Sequence, residues 1–283
     1  MKVLVTGING QLGYDVVKEL QKRKIEYIAA GRNEFDITNF DEVKKFVKEN
    51  MPDVVIHCAA YTAVDLAEDE KEKAFAVNAE GTKNIAVICK EIDAKMVYIS
   101  TDYVFNGKGD KPYEVDDEKG PLGVYGKSKL KGEEYVKEIL EKYFIVRISW
   151  VFGINGKNFV KTMLNIGKSR SVLTVVNDQI GSPTYTSDLA VLLCDMVNTE
   201  KYGTYHATNE GDFISWYNFA CEIFRQAGYN TAVKPVTTEE YGLSKAERPK
   251  NSRLSKKKLE ESGFKELPDW KDALRRYLKE LEG

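Results

Sequence analysis

In GVYGKSKL, residues 123 to 130, a tyrosine stands four positions before a lysine. Residues four apart share one face of a helix, so the ammonium of Lys129 can stand beside the phenol of Tyr125. A free phenol has a pKa of about 10, and a neighbouring ammonium favours its ionised form. Such a tyrosine is suited to give a proton to a carbonyl oxygen while a nearby hydroxyl bonds the same oxygen. The interval alone selects nothing, because Tyr14 with Lys18 and Tyr241 with Lys245 repeat it. Position does select: the apolar run KMVYIST ends in Ser100 and Thr101, and Tyr125 opens a later helical pattern. Tyr14 directly follows a glycine-rich loop and Tyr241 lies in the C-terminal third, neither of them after a strand end that carries a hydroxyl. Thr101, Tyr125 and Lys129 are the candidate catalytic residues.

A second chemistry is written in VTGINGQLG, where Gly7, Gly10 and Gly13 come directly after the first apolar run and at the start of a helical pattern. Glycines here permit a tight turn and a close backbone approach to a pyrophosphate, and the free N–H groups of a helix start favour an anion. Dinucleotide binding is the reading this context supports. The second apolar run ends in AAGRN, with Arg32 where an NAD-selective site would carry an acid. A guanidinium suits a 2′-phosphate, so NADPH is expected, with NADH as the alternative because Asp36, beside Ile37, could reach a ribose hydroxyl. Ala59 and Ala60, in HCAAYTAVD, supply small residues for a cofactor wall.

These residues need a frame. KVLVTG, EYIAAG, DVVIHCAA, KMVYIST and FIVRISWVFG are short β-branched runs separated by helical patterns. In TNFDEVKKFV, Phe40, Val43 and Val47 fall at helical intervals, and Thr38 with Asp41 resembles a capping box. Strand and helix in alternation predict an α/β fold, a Rossmann-type doubly wound parallel sheet, with ligands at the carboxyl ends of its strands. After about residue 152 the punctuation changes to INGKN, NDQIGSP and TNEGD, with helices expected from about Ser187 and Ser215. The expected division is a dinucleotide-binding domain over 1–152, to which the chain can return, and a smaller, mainly substrate-binding lobe over 153–283.

Composition excludes several classes. At 283 residues, 42% hydrophobic and with a net charge of −2, the chain has no broad basic face for nucleic acid, and no apolar run is long enough for a membrane span. The start MKVLVTG lacks a secretory cleavage pattern, so a cytoplasmic location is expected. Four dispersed cysteines read as free thiols, and two histidines give little material for a metal or a triad. No metal is expected.

Longer stretches carry a resemblance. VTGINGQLG, STDYVF, VYGKSK, SWVFG, NFVKTML, NDQIGSPT and RPKNSRL occur in order along nearly the whole chain. Together they resemble the dTDP-4-dehydrorhamnose reductase family, in the extended branch of the short-chain dehydrogenase/reductases. The resemblance implies NAD(P)H-dependent reduction of the 4-keto group of dTDP-4-dehydro-L-rhamnose, a small nucleotide-sugar. It also implies that Gln11 and Leu12 belong to the cofactor loop, that Tyr125 and Lys129 touch the cofactor as well, and that Thr62, Val64, Tyr103 and Trp150 line the sugar pocket. Asp102, beside Thr101, is expected to orient the site, and Arg248 to offer donors to the substrate. A nucleotide-sugar epimerase and a non-enzymatic NADP-binding regulatory subunit stay open as alternatives, as does a homodimer.

Overall fold

The structure is a computed structural model that describes residues 1–282. Its frame is a sheet of β1 (Lys2–Thr6), β2 (Glu26–Ala30), β3 (Val54–His57), β4 (Lys95–Thr101), β5 (Tyr143–Ile148) and the strand Gly203–His206. Their spatial order is Gly203–His206, β5, β4, β3, β1, β2, and every neighbour pair is parallel. The helices that matter to it are α1 (Gln11–Lys22), α2 (Phe40–Asn50), α3 (Val64–Ala67), α4 (Lys71–Phe75), α5 (Gly81–Glu91), α6 (Val124–Ile139), α7 (Phe159–Gly167), α8 (Thr186–Met196) and α9 (Trp216–Ala227).

Alternation along β1 explains the layers. Val3 and Val5 face a core completed by Leu12, Val16 and Leu20 of α1 and Leu189, Leu193 and Met196 of α8. Leu4 faces the opposite way, into a core with Val43, Val47, Ile85, Cys89 and Val136. Burying such a side chain contributes about 1.5–3 kcal/mol, so the two apolar layers hold the helices to the sheet. The sheet thus takes its sixth strand and one covering helix, α8, from beyond residue 152. Many of the other C-terminal residues pack in a third core that includes Phe152, Phe219, Trp270 and Tyr277, while Leu259 and Leu267 join the first.

Two local details differ from the sequence expectation or extend it. The cap of α2 is Asn39, not Thr38: the Asn39 side chain accepts from the Asp41 and Glu42 N–H groups, while the Thr38 hydroxyl donates to Asp36. Asn39 prevails because its extended backbone puts a carbonyl oxygen directly over those donors. Between α4 and α5 the chain makes a π-helical turn, Ala76–Glu80. Its buried Asn78 holds both backbone polar groups of Tyr61 and donates to Ser128 of α6, tying the loop after β3 to the helix that carries Tyr125. Among the described residues no helix is long and apolar enough to cross a membrane.

Candidate active site

A cleft of about 910 Å³ opens at the carboxyl ends of the strands, where strand order reverses between β1 and β3. Gly7 directly follows β1 with φ +71°, and a Cβ there would lie 2.6 Å from the Ala59 nitrogen. Only glycine lets the loops after β1 and β3 meet backbone to backbone. Helix α1 then starts at Gly10 with no side-chain cap, which leaves its first N–H groups for an anion. Gly10, Gln11, Leu12, Gly13, Arg32, Asp36, Ile37, Ala59 and Ala60 all line this end of the cleft. Asp36 is engaged by Thr38, whose backbone N–H and hydroxyl hold its carboxyl below the usual range. Arg32, 3.6 Å from that carboxylate, is 83% exposed and so accessible to a phosphate.

Thr101, Tyr125 and Lys129 come together in the same cleft. The first turn of α6 is fixed from outside its own sequence: Val124 N–H donates to the Glu68 carboxylate at 2.8 Å. Gly126 lies against the Tyr103 carbonyl, where a Cβ would collide, which is the use of that glycine. The Tyr103 ring meets Tyr125 edge to face at 5.4 Å. Thr101 donates to Asp102 Oδ1 at 2.9 Å and accepts from the Tyr103 N–H. Asp102 Oδ2 is buried without a partner, and burial pushes its carboxyl up to about 6.

Electrostatics correct one expectation. Burial drives the Tyr125 phenol well above its ordinary value, partly offset by Thr101 and reinforced by the charge of Asp102. Lys129 does not depress it, because burial brings the lysine itself down to about 7, against the opposing charge of Glu133. The lysine Nζ sits 4.1 Å from the centre of the Tyr98 ring. A phenol held protonated is still the form that donates a proton. The two decoy pairs lie elsewhere: Tyr14 and Tyr241 are exposed, Lys18 is bound to Glu280, and Lys245 to Asp69.

Thr62, Val64, Asp102, Tyr103 and Trp150 line the other end. Trp150 adopts φ +48°, a left-handed conformation uncommon for a bulky residue, and stacks on Trp216 at 3.8 Å. Arg248 does not line the cleft. It borders an adjoining cavity of about 550 Å³ and donates to Tyr103 Oη, Asp65 and Ser244, so it reaches the cleft through Tyr103. Sequence reasoning missed Phe35, Tyr61, Lys73, Ser149, Gly156 and Lys157, which also line the cleft. The glycine and asparagines of INGKN were the available signal for the last two: Asn155 donates to the carbonyls of Asn9 and Gly10, and Asn158 to Gln11, closing this loop over the glycine turn.

The family model described as RmlD substrate binding domain matches residues 1–282. The chain belongs to this family. Among curated relatives, it is 44% identical to the spore coat polysaccharide biosynthesis protein SpsK of Bacillus subtilis, covering 99% of this chain and 97% of that one. It is 40% identical to the dTDP-4-dehydrorhamnose reductase of Aggregatibacter actinomycetemcomitans, covering 97% of each. A solved dTDP-4-dehydrorhamnose reductase from Bacillus anthracis, in complex with NADP, superposes with a TM-score of 0.95 at 46% identity over 99% of each chain. Two RmlD-like segments of the sequence also meet in space: Asn251 and Ser252 of RPKNSRL pair in parallel with Ile180 and Gly181 of NDQIGSPT. Gly181 in turn packs against the Trp150 ring.

Proposed function

We propose that this protein reduces the 4-keto group of dTDP-4-dehydro-L-rhamnose with NADPH to give dTDP-L-rhamnose. The observation that carries the reading is one cleft holding the glycine turn at one end, an aromatic sugar wall at the other, and Thr101, Tyr125 and Lys129 between them. The close approach of Gly7 to Ala59 and the uncapped start of α1 fit a dinucleotide pyrophosphate, and the exposed Arg32 fits a 2′-phosphate. NADPH, when bound, supplies the hydride. Gly7, Gly10, Gln11, Leu12, Gly13, Arg32, Asp36, Ile37, Ala59 and Ala60 would hold it, with Lys129 on the nicotinamide ribose.

Tyr125 gives its proton to the 4-keto oxygen as negative charge develops there, and the Thr101 hydroxyl stabilises the same oxygen. A hydroxyl has one proton, so Thr101, which here donates to Asp102, turns that proton to the keto oxygen as the substrate binds. Thr62, Val64, Tyr103 and Trp150 form the sugar wall, where the indole offers an apolar face to a deoxy sugar and an N–H to donate. Arg248 acts from behind Tyr103. On the cofactor side we group residues 1–152 with α8 and the strand Gly203–His206, and we assign the rest mainly to the substrate. The reading includes a cytoplasmic location, and a second copy of the chain is the partner to look for.

NADPH absorbance followed with dTDP-4-dehydro-L-rhamnose tests it. The native protein should consume NADPH stoichiometrically, and Tyr125→Phe should lose ~100-fold or more in kcat while still binding cofactor. Equal rates in the two proteins would remove Tyr125 from its role. Retained dinucleotide with no net NADPH consumption would point to an epimerase, and cofactor binding without turnover to a regulatory subunit.

A further inference from the structure

Beneath Lys129 lies a buried ion pair that the reduction does not itself use. Tyr125, Lys129 and Glu133 follow one another at four-residue intervals along α6, so they share a face. Glu133 is fully buried, as is Arg147 of β5. Arg147 engages it through two bonds, Nε to Oε1 at 2.8 Å and Nη2 to Oε2 at 2.7 Å, and the Ser100 hydroxyl adds a third to Oε1 at 2.6 Å. Ser100 and Arg147 are register partners on β4 and β5, each one residue before Thr101 and Ile148. A single carboxylate therefore grips both strands at the point where they deliver Thr101 and, through Ile148 and Ser149, Trp150.

Every side-chain nitrogen and oxygen of this pair has a partner. Arg147 Nη1 donates to the Val115 carbonyl at 2.8 Å and to His206 Nε2. A guanidinium only donates, so His206 Nε2 accepts and its Nδ1–H goes to the Ser255 carbonyl. Burial and the Arg147 charge hold His206 neutral. A buried ion pair adds little net stability over an apolar pair of the same volume, whereas removing one partner leaves a costly unpaired charge. Such a pair is therefore poorly explained by stability and well placed to fix geometry.

We propose that Glu133 is a positioning residue of the reductase site, clamping α6 to the ends of β4 and β5 and presenting a fixed negative charge to Lys129. This rests on the function proposed above. The other groups facing the pair are accounted for. Around Lys129 stand the Tyr98 ring, Cys58 and the neutral His57. Around Glu133 stand Lys137 at 3.7 Å, with Lys119, Tyr98 and Tyr143 within reach of its charge. Glu133 supplies the anionic charge that counters the burial of Lys129, while its own carboxyl, raised by burial, is brought below the ordinary value by Arg147.

The test is the pH dependence of two quantities in Glu133→Gln and in the neutral pair Glu133→Leu with Arg147→Met. The double variant leaves no unpaired buried charge and so keeps the fold within reach if the single one fails. Removing the carboxylate makes the Lys129 ammonium less favourable. The alkaline limb of kcat and the pH midpoint of NADPH affinity, read by fluorescence titration of the full chain, should both move to lower pH, by about one unit in Glu133→Gln and by a smaller step in the neutral pair, from which the opposing Arg147 charge is gone as well. Glu133→Asp, which keeps the charge, should restore the native midpoint. A uniform loss at every pH with an unmoved midpoint, in whichever variant folds, would overturn the proposal and leave Glu133 a packing residue. The NADPH titration needs no sugar substrate, so failed turnover by the native protein would count against the proposed reaction and not against this inference.

Discussion

Lys129 carries its amine into a fully buried position, and that has a consequence for stability that is separate from catalysis. Its folded value, about 7, lies below the ordinary lysine value, so between those limits the unfolded chain binds more protons than the folded one. Stability of the protein without ligands therefore rises with pH across that window, and below about 7 the full burial penalty is present. Lys129→Met removes the penalty. It should raise the urea midpoint more at about pH 6 than at about pH 10, while abolishing turnover. Equal stabilisation at both pH values would mean that Lys129 titrates normally in the fold. Tyr125 next to it shows how far spacing can be trusted: the interval matched three times in the sequence, and only the pair after a hydroxyl-bearing strand end entered the cleft.

The elements hold these residues by contacts that local sequence does not announce. Helix α6 is legible as a helical pattern from VYGKSK onward, yet its N-cap Gly123 offers no side chain and the capping carboxylate comes from Glu68, just after α3. Glu68→Ala frees the Val124 N–H at the turn that carries Tyr125. We expect a loss of about 1 kcal/mol in chemical unfolding, and a larger fall in kcat than in NADPH affinity. Unchanged kcat with the stability loss present would make the cap structural only. The same principle explains α2, where Thr38 and Asp41 looked like a box but Asn39 took the cap. Neighbouring residues with equal capping chemistry compete, and backbone direction at the entry to the helix decides between them.

Across the whole molecule, the C-terminal half reaches back over the cofactor end. Asn158 donates from one amide to Gln11, to the Gly153 carbonyl and to Tyr277 Oη, and its carbonyl caps α7. It links the glycine turn, the loop 153–158 and the final helix, Trp270–Glu282, in one network. Asn158→Ala should weaken NADPH binding by ~5-fold, the scale of one lost hydrogen bond, and lower the thermal midpoint. A lowered midpoint with native NADPH affinity would show that the loop closes without this residue. α8 and the strand Gly203–His206 make the same point for the fold, since they complete the sheet although they follow the change of punctuation near residue 152.

Sequence by itself determined the strands β1 to β5, the glycine turn and the Thr101, Tyr125 and Lys129 set, because each is written in contiguous residues whose periodicity or motif has a local physical cause. It also carried the family, through segments spread in order along the chain. Tertiary structure alone decided that Arg248 stands behind Tyr103 and not on the cleft. It alone brought Glu68 to the start of α6 and Arg147 to Glu133 on its buried face, and folded residues 155–158 over the glycine loop. It also set the sign of the Tyr125 shift, where burial outweighed the hydrogen bond from Thr101. Desolvation and long-range bonds depend on what surrounds a side chain in three dimensions, and neither leaves a periodic trace in the sequence.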